Sequence, residues 1–143
     1  MTRDEIQQAI PHRDPFLWLD EVVEITDKSI LARKTLDPSL PVFAGHYPMF
    51  PVFPGVLQLE AAMQAGAILI SRMATLEAGK VPVATRINNV KFRRLVRPGE
   101  TLDIAVELTD RAANAFFLGA KVTVNGEVTV RFDFACAAAD PPK

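Results

Sequence analysis

Two side chains in the middle of the chain could together carry out proton-transfer chemistry. His46 lies in a proline-rich segment, and an imidazole exchanges its proton near neutral pH. Glu60 is the single formally charged residue between Val56 and Ile70. Burial among apolar residues favours the protonated form of a carboxyl group. The residue types therefore indicate a base at His46 and an acid at Glu60.

Gly55 and Val56 could add a binding place for a ligand oxygen. They stand at the start of an apolar segment that has the composition of a helix. The first N–H groups of a helix have no internal acceptor, and the helix dipole places partial positive charge there. Because glycine has no side chain, a ligand oxygen could approach the Gly55 amide closely.

Structural explanations remain open for these residues and for the second histidine. A histidine in a loop is often structural, and Glu60 could pair with a strand arginine or with Arg72, although Arg72 lies too far along the helix for a one-turn contact. His12 could anchor the turn into the first strand or contact a substrate.

The elements that must position these residues can be predicted from the pattern. Pro41, Pro48, Pro51 and Pro54 predict that 41–54 is a stiff loop rather than a regular helix or central strand. The following segment, 56–70, is apolar on nearly every side of a helical wheel, which predicts a helix buried in the core.

Strand-like segments precede and follow this helix. Asn125-Gly126 is the strongest hairpin signal, because both residues tolerate a positive φ. The order of elements predicts an α+β architecture, with an antiparallel sheet curled around a central helix. The predicted strands are 16–25, 29–36, 84–96, 101–109, 115–124 and 127–137, with a turn at 26–28.

Composition sets limits on the class of protein. The chain has 143 residues, of which 49% are hydrophobic and 23% charged, which predicts one globular domain over 1–139 and a short tail over 140–143. A net charge of −1 argues against nucleic-acid or anionic-membrane binding. The lone Cys136 can form neither an internal disulfide nor a zinc site. The first ten residues lack the apolar stretch of a secretory signal, so a cytoplasmic location is expected.

Three blocks of the sequence resemble the signature blocks of the 3-hydroxyacyl-acyl carrier protein dehydratases. They are PHRDPFLWLDEV (11–22), AGHYPMFPVFPGVLQLEAAMQAGAIL (44–69) and NNVKFRRLVRPGE (88–100). The resemblance implies the hotdog fold, in which a long helix is wrapped by an antiparallel sheet. It also implies a homodimer that can assemble into a trimer of dimers.

The resemblance assigns roles to residues that match the motif. It implies that His46 is the catalytic histidine and Glu60 the catalytic carboxylate, contributed by different subunits. It implies that the Gly55 N–H binds the thioester carbonyl and that Gln64 is the glutamine one helical turn after the carboxylate. The resemblance implies no metal or redox cofactor. It also implies that the substrate is carried by acyl carrier protein, so the phosphopantetheine arm belongs to the substrate and not to this chain.

Two features bear on substrate choice. Met49 stands where the family usually has glycine. If this position needs a positive φ, either Met49 is strained or the loop is rebuilt. The bulky Met49-Phe50 pair could also narrow the acyl tunnel. A basic cluster near the end of the third strand could dock an acidic carrier protein or form a solvated sheet edge. This cluster consists of Lys91, Arg93, Arg94 and Arg97.

The leading hypothesis is a dehydratase that converts 3-hydroxyacyl thioesters into trans-2-enoyl thioesters and water in lipid synthesis. A hotdog thioesterase, with Glu60 activating water, is a second hypothesis. A catalytically silent subunit that binds acyl thioesters and partners a true dehydratase is a third.

Overall fold

The computed structural model describes residues 1–73 and 79–140. In this part of the chain, six antiparallel strands form one sheet in the order β1-β2-β4-β5-β6-β3. The helices are α1 (Arg3–Ala9), α2 (Val42–Gly45) and α3 (Gly55–Ser71), and the strands are β1 (Glu21–Ile25), β2 (Ser29–Thr35), β3 (Val81–Phe92), β4 (Thr101–Ala112), β5 (Ala115–Val124) and β6 (Glu127–Ala139).

The central helix α3 lies against the inner face of the sheet. It contacts every strand from β2 to β6, and its apolar side chains pack with alternate strand residues such as Ile104, Leu118 and Phe134, each no more than 2% exposed. A helix without a polar face must be covered on most sides. The predicted α+β architecture, the hotdog fold, is confirmed.

The hairpin between β5 and β6 forms where the sequence predicted it. Asn125 and Gly126 have φ values of 50° and 81°, as a type I′ turn requires. Cross-strand pairing runs along almost the whole length of both strands. This hairpin supplies two of the strands that cover α3.

The prediction of a strand over 16–25 is wrong for its first half. Regular pairing begins only at Glu21. Leu17, Trp18 and Leu19 are buried, and the Trp18 N–H donates to the side chain of Gln64 at 2.8 Å. A backbone N–H of this apolar segment is thus hydrogen-bonded to a helix side chain and not to a neighbouring strand. Local periodicity in the sequence does not reveal such a partner.

Two other boundaries differ from the prediction. The predicted strand 84–96 is displaced to Val81–Phe92, and it includes Pro82 because β3 is at the edge of the sheet, where a missing donor is tolerated. The predicted loop 41–54 contains one helical turn, Val42–Gly45, which begins after Pro41. Proline is compatible with the start of a helix, where its missing N–H has no partner to lose.

Helix α1 was not anticipated from the sequence. Thr2 caps it through a reciprocal arrangement with Glu5, and Ile6 is buried against the core. Of the predicted tail, Asp140 forms an ion pair with Lys80 at 3.1 Å, and 141–143 lie outside the described residues. Over the described residues, no helix is both long enough and apolar enough to cross a membrane.

Candidate active site

One ring nitrogen of His46 is already hydrogen-bonded to the backbone. It follows α2 and is half-buried. Its Nδ1 lies 2.8 Å from the backbone oxygen of Val52. Because a carbonyl oxygen only accepts, Nδ1 carries the hydrogen in this contact. In the neutral ring, Nε2 is therefore the nitrogen with a free lone pair, and His46 is oriented to act as a base through Nε2.

The loop that carries His46 is fixed by buried aromatic residues on both sides. Phe43 and Phe53 are 4% and 2% exposed, and their ring centroids are 6.2 Å apart. Phe53 also packs on Trp18 at 5.3 Å and donates its N–H to the Val96 carbonyl at 2.7 Å. These contacts make the proline-rich loop a rigid support for the imidazole.

The positive φ in this loop belongs to Tyr47 and not to Met49. Tyr47 has φ of 54°, and its ring lies edge-on to His46 with centroids 4.8 Å apart. Of the two alternatives for Met49, strain from a positive φ is not observed, since the positive φ comes two residues earlier. A non-glycine residue in this region stores strain of about 1 kcal/mol or more next to the candidate base.

The start of α3 presents two unpaired amides. Pro54 has no side-chain cap, and neither Gly55 nor Val56 donates its N–H to another described residue. Gly55 is pressed against Phe92, since a Cβ built at Gly55 would lie 2.5 Å from Cε1 of that ring. The amides are thus available to an oxygen, and the missing side chain at Gly55 leaves room for the Phe92 ring.

A pocket of about 510 Å³ opens at this end of the helix. Its wall combines the first turn of α3 with the end of β3 and the segment after it. The lining residues include Gly55, Val56, Gln58, Phe92 and Arg93. Donors, an aromatic ring and a cation around one pocket suit an acyl chain with a polar oxygen at one end.

Glu60 is partly exposed and is tied to its own helix. Its side chain is 24% exposed, and its Oε2 accepts from Nε2 of Gln64 at 3.0 Å. Gln64 is fully buried and uses its remaining groups on the preceding segment: its Oε1 accepts from the Trp18 N–H, and its Nε2 also donates to the Phe16 carbonyl, both at 2.8 Å. The side chain of Gln64 therefore links α3 to residues 16–18 by hydrogen bonds.

The titratable partner of Glu60 is His12. His12 Nε2 lies 3.6 Å from Glu60 Oε2. Among the described residues, neither Arg72 nor a strand arginine forms an ion pair with Glu60, and within one chain His46 does not either. The sequence offered no signal for the His12 contact, because His12 is in a turn whose position against a distant helix is set by tertiary packing.

The remaining predicted residues are distributed around the surface. Met49 is 99% exposed and Phe50 50% exposed, with the Arg97 guanidinium 4.6 Å above the Phe50 ring. Their role in an acyl tunnel stays a prediction, because the tunnel is expected in the dimer and the structure is of a single chain. The buried Cys136 is a poor nucleophile, because burial raises its pKa to about 11.

The four cations of the basic cluster differ in whether they form ion pairs. Arg94 forms two hydrogen bonds to the Glu100 carboxylate, at 3.0 and 2.7 Å, and one to Glu127 at 2.9 Å. Lys91, Arg93 and Arg97 are exposed and form no ion pair within the described part of the chain. Only these three retain a charge that is free to attract a partner.

Comparison with known proteins adds family evidence to this geometry. A FabA-like domain matches residues 10–133. The chain is 40% identical to the 3-hydroxyacyl-[acyl-carrier-protein] dehydratase FabZ of Rickettsia canadensis, over 95% of this chain and 96% of that protein. It is 45% identical to the FabZ dehydratase of Oenococcus oeni, over 89% and 91% of the two chains.

Solved structures share the fold at lower identity. The dehydratase heterocomplex ApeI:P from Xenorhabdus doucetiae has a TM-score of 0.80 and 18% identity, covering 94% of this chain and 91% of that one. A thioesterase from Haemophilus influenzae has a TM-score of 0.71 and 16% identity, covering 98% and 91%. These likenesses concern the fold alone, which proteins named for different reactions have in common.

Proposed function

The chain belongs to the family of 3-hydroxyacyl-[acyl-carrier-protein] dehydratases, and we propose that it removes water from 3-hydroxyacyl thioesters in fatty-acid biosynthesis. The products are the trans-2-enoyl thioester and water. The observation that carries the proposal is the orientation of His46, whose Nδ1–H is held by the Val52 carbonyl so that Nε2 is the available base. The proposed reaction needs no metal or redox cofactor.

The first step of the proposed mechanism is removal of the C2 proton. A thioester α-proton is too weakly acidic for free imidazole to remove at a useful rate. A hydrogen bond from the Gly55 amide to the developing enolate oxygen lowers this barrier by a few kcal/mol. His46 Nε2 then accepts the proton. Val56 contributes a second amide at the same helix end.

The second step is departure of the hydroxyl group. Glu60 donates a proton to the 3-hydroxyl oxygen while the C3–O bond breaks, so that water leaves instead of hydroxide. His46 ends the reaction protonated and Glu60 ionised. Return of one proton to Glu60 and loss of one from His46 restore the starting state.

A homodimer is part of the proposal, because one chain does not bring the two groups together. Glu60 contacts His12 and not His46 within the described part of the chain. We place His46 of one subunit opposite Glu60 of the other. Several apolar side chains beside the candidate site are exposed in the single chain and would be covered in a dimer, among them Phe50, Val56, Phe92 and Leu95.

Acyl carrier protein is the proposed carrier of the substrate, and the cytoplasm is the proposed location. Lys91, Arg93 and Arg97 are exposed cations near the pocket at Gly55. An acidic carrier would find attractive charge at the place where its acyl arm must enter. Arg94 is left out of this docking role because Glu100 and Glu127 neutralise it.

The test is turnover of 3-hydroxybutyryl and longer thioesters by the purified protein, followed by enoyl absorbance. We expect dehydration by the wild type and a loss of at least about 100-fold in both His46→Ala and Glu60→Gln. Thiol release detected with Ellman's reagent, without enoyl formation, would favour the thioesterase hypothesis. Activity only after addition of a second protein would favour the silent-subunit hypothesis and contradict the proposal.

A further inference from the structure

His12 reaches the candidate acid from a different part of the chain. It lies in the turn between α1 and β1, and its Nε2 is 3.6 Å from Glu60 Oε2. This distance lies within ion-pair range, and a movement of a few tenths of an ångström would bring the two atoms to hydrogen-bond distance. The two side chains are 29% and 24% exposed, so the contact is shielded from water on most sides.

Both neighbours of the Glu60 carboxyl group act on the same oxygen. Gln64 Nε2 donates to Oε2 at 3.0 Å, and His12 Nε2 faces Oε2 as well. Oε1 has no partner among the described residues. Because Gln64 is itself fixed to Phe16 and Trp18, the carboxyl group is held with Oε2 inward and Oε1 free for a substrate.

The other ring nitrogen of His12 argues against a purely structural histidine. Nδ1 is buried and has no hydrogen-bond partner among the described residues. A histidine that anchors a turn would use this atom on a backbone group. Leaving a buried polar atom unpaired costs about 1–3 kcal/mol. The contact with Glu60 is the one polar interaction that the side chain of His12 makes in the described structure.

We propose that His12 is a positioning residue that shares one proton with Glu60 and orients its carboxyl group, an inference that rests on the proposed dehydratase function. A neutral imidazole beside a protonated carboxyl and an imidazolium beside a carboxylate carry the same net charge of zero. The pair therefore holds one proton without a net charge in a partly buried place. A carboxyl group alone keeps its proton only at acidic pH.

The surroundings of His12 suit transfer of this proton to Glu60. Burial lowers the pKa of His12, the Glu60 carboxylate opposes this shift, and the neighbouring Arg13 adds to it. These are the charged groups that act on His12 among the described residues. An imidazole that releases its proton readily can pass it to a carboxylate left ionised by turnover. Its partial exposure then allows the pair to take up one proton from solvent.

The proton balance closes over one turnover. Glu60 gives its proton to the departing hydroxyl as the C3–O bond breaks, and His46 accepts the C2 proton. The His12–Glu60 pair then gains one proton from solvent, and His46 releases one. The net reaction is loss of water from the substrate.

The kinetic test compares the wild type with His12→Gln over a range of pH, with 3-hydroxybutyryl thioester as substrate. We expect kcat to fall by up to about 100-fold, the cost of a small misplacement of a reacting group, while KM changes less than about 2-fold. The basic limb of the kcat profile should move to lower pH, because the acid loses its proton earlier. Lys28→Gln, in the exposed turn after β1, is the control and should match the wild type.

A second measurement does not depend on turnover. The chain has two histidines, so imidazole resonances in an NMR titration can be assigned with His12→Gln. In Glu60→Gln, His12 should titrate at lower pH than in the wild type, since the favourable carboxylate is gone. An unchanged His12 titration, or an unmoved basic limb in His12→Gln, overturns this inference alone. A wild type that dehydrates no thioester refutes the proposed function, whatever the titration shows.

Discussion

At the scale of single residues, Gly55 tests whether the start of α3 binds an oxygen. A Cβ at Gly55 would meet Phe92 Cε1 at 2.5 Å, but this ring borders the open pocket beside Gly55 and has space to turn. Gly55→Ala should therefore change the free energy of unfolding by less than about 1 kcal/mol. Activity should fall by about 100-fold, because a methyl group stands where the thioester oxygen approaches. Thioester assays and chemical denaturation measure the two effects.

Gly66 provides the matched comparison on the same helix. A Cβ there would lie 2.7 Å from Cζ of Phe134, whose ring is only 2% exposed and cannot move away. Gly66→Ala should destabilise the fold by about 1–3 kcal/mol, partly offset by the helix preference of alanine. Equal losses of stability in the two variants would contradict this assignment of Gly55 to binding and Gly66 to packing.

At the scale of elements, the turn before β4 is held by an ion pair with a defined pH dependence. The Arg94 guanidinium holds the pKa of Glu100 below its ordinary value, and the Arg97 N–H also donates to this carboxylate. A lowered folded-state pKa stabilises the fold fully above the ordinary carboxyl value of 4.5, and the effect is lost as pH falls below it.

Glu100→Gln should therefore be less stable than the wild type at neutral pH, and the difference should shrink as the pH is lowered through this window. Urea denaturation at several pH values measures it. Lys28→Gln, which removes a cation in an exposed turn, controls for general charge effects. A stability difference that stays constant from pH 7 to the acid side of this window would show that the pair does not act through ionisation.

The elements also show what sequence patterns can predict. The apolar helix at 56–70 and the hairpin at Asn125-Gly126 were predictable because each depends on local composition or on backbone freedom. The contact of His12 with Glu60 and the capture of the Trp18 N–H by Gln64 were not. Both join segments far apart in the chain, and their partners are chosen by tertiary packing. The boundary of β3 at Pro82 likewise required knowledge that β3 is an edge strand.

At the scale of the whole molecule, a row of exposed cations crosses three strands, beginning at Lys91 of the proposed carrier-docking cluster. Strand register places Lys91 opposite Arg131 and Arg131 opposite Lys121, and all three are exposed. Like charges in such a row repel one another and favour an anionic partner. With a carrier-bound substrate, KM should rise several-fold between about 50 and 300 mM salt, because ions screen exposed charges.

The double variant Lys91→Glu, Arg131→Glu, which lies outside the lining of the pocket at Gly55, should raise the same KM and reduce its salt dependence. With an N-acetylcysteamine thioester, which has no carrier protein, neither salt nor the variant should change KM by more than about 2-fold. If both substrates respond alike, the cations affect the site itself and not docking of a carrier.

The assembly of the active site from two subunits can be tested by complementation. In the proposed dimer, His46 of one subunit works with Glu60 of the partner subunit. Mixing His46→Ala with Glu60→Gln would then place both defects in one of the two sites of a mixed dimer and leave the other site intact. With random exchange, half of the dimers are mixed, so about a quarter of wild-type activity should return.

Each variant alone should remain inactive under the same unfolding and refolding treatment, which excludes contamination or reversal of the defect. If His46 and Glu60 of the same chain form each site, every site in every mixture contains one defect, and no activity returns. The mixture therefore separates a shared site from two independent ones. The contact of Glu60 with His12, and not with His46, in the single chain favours the shared site.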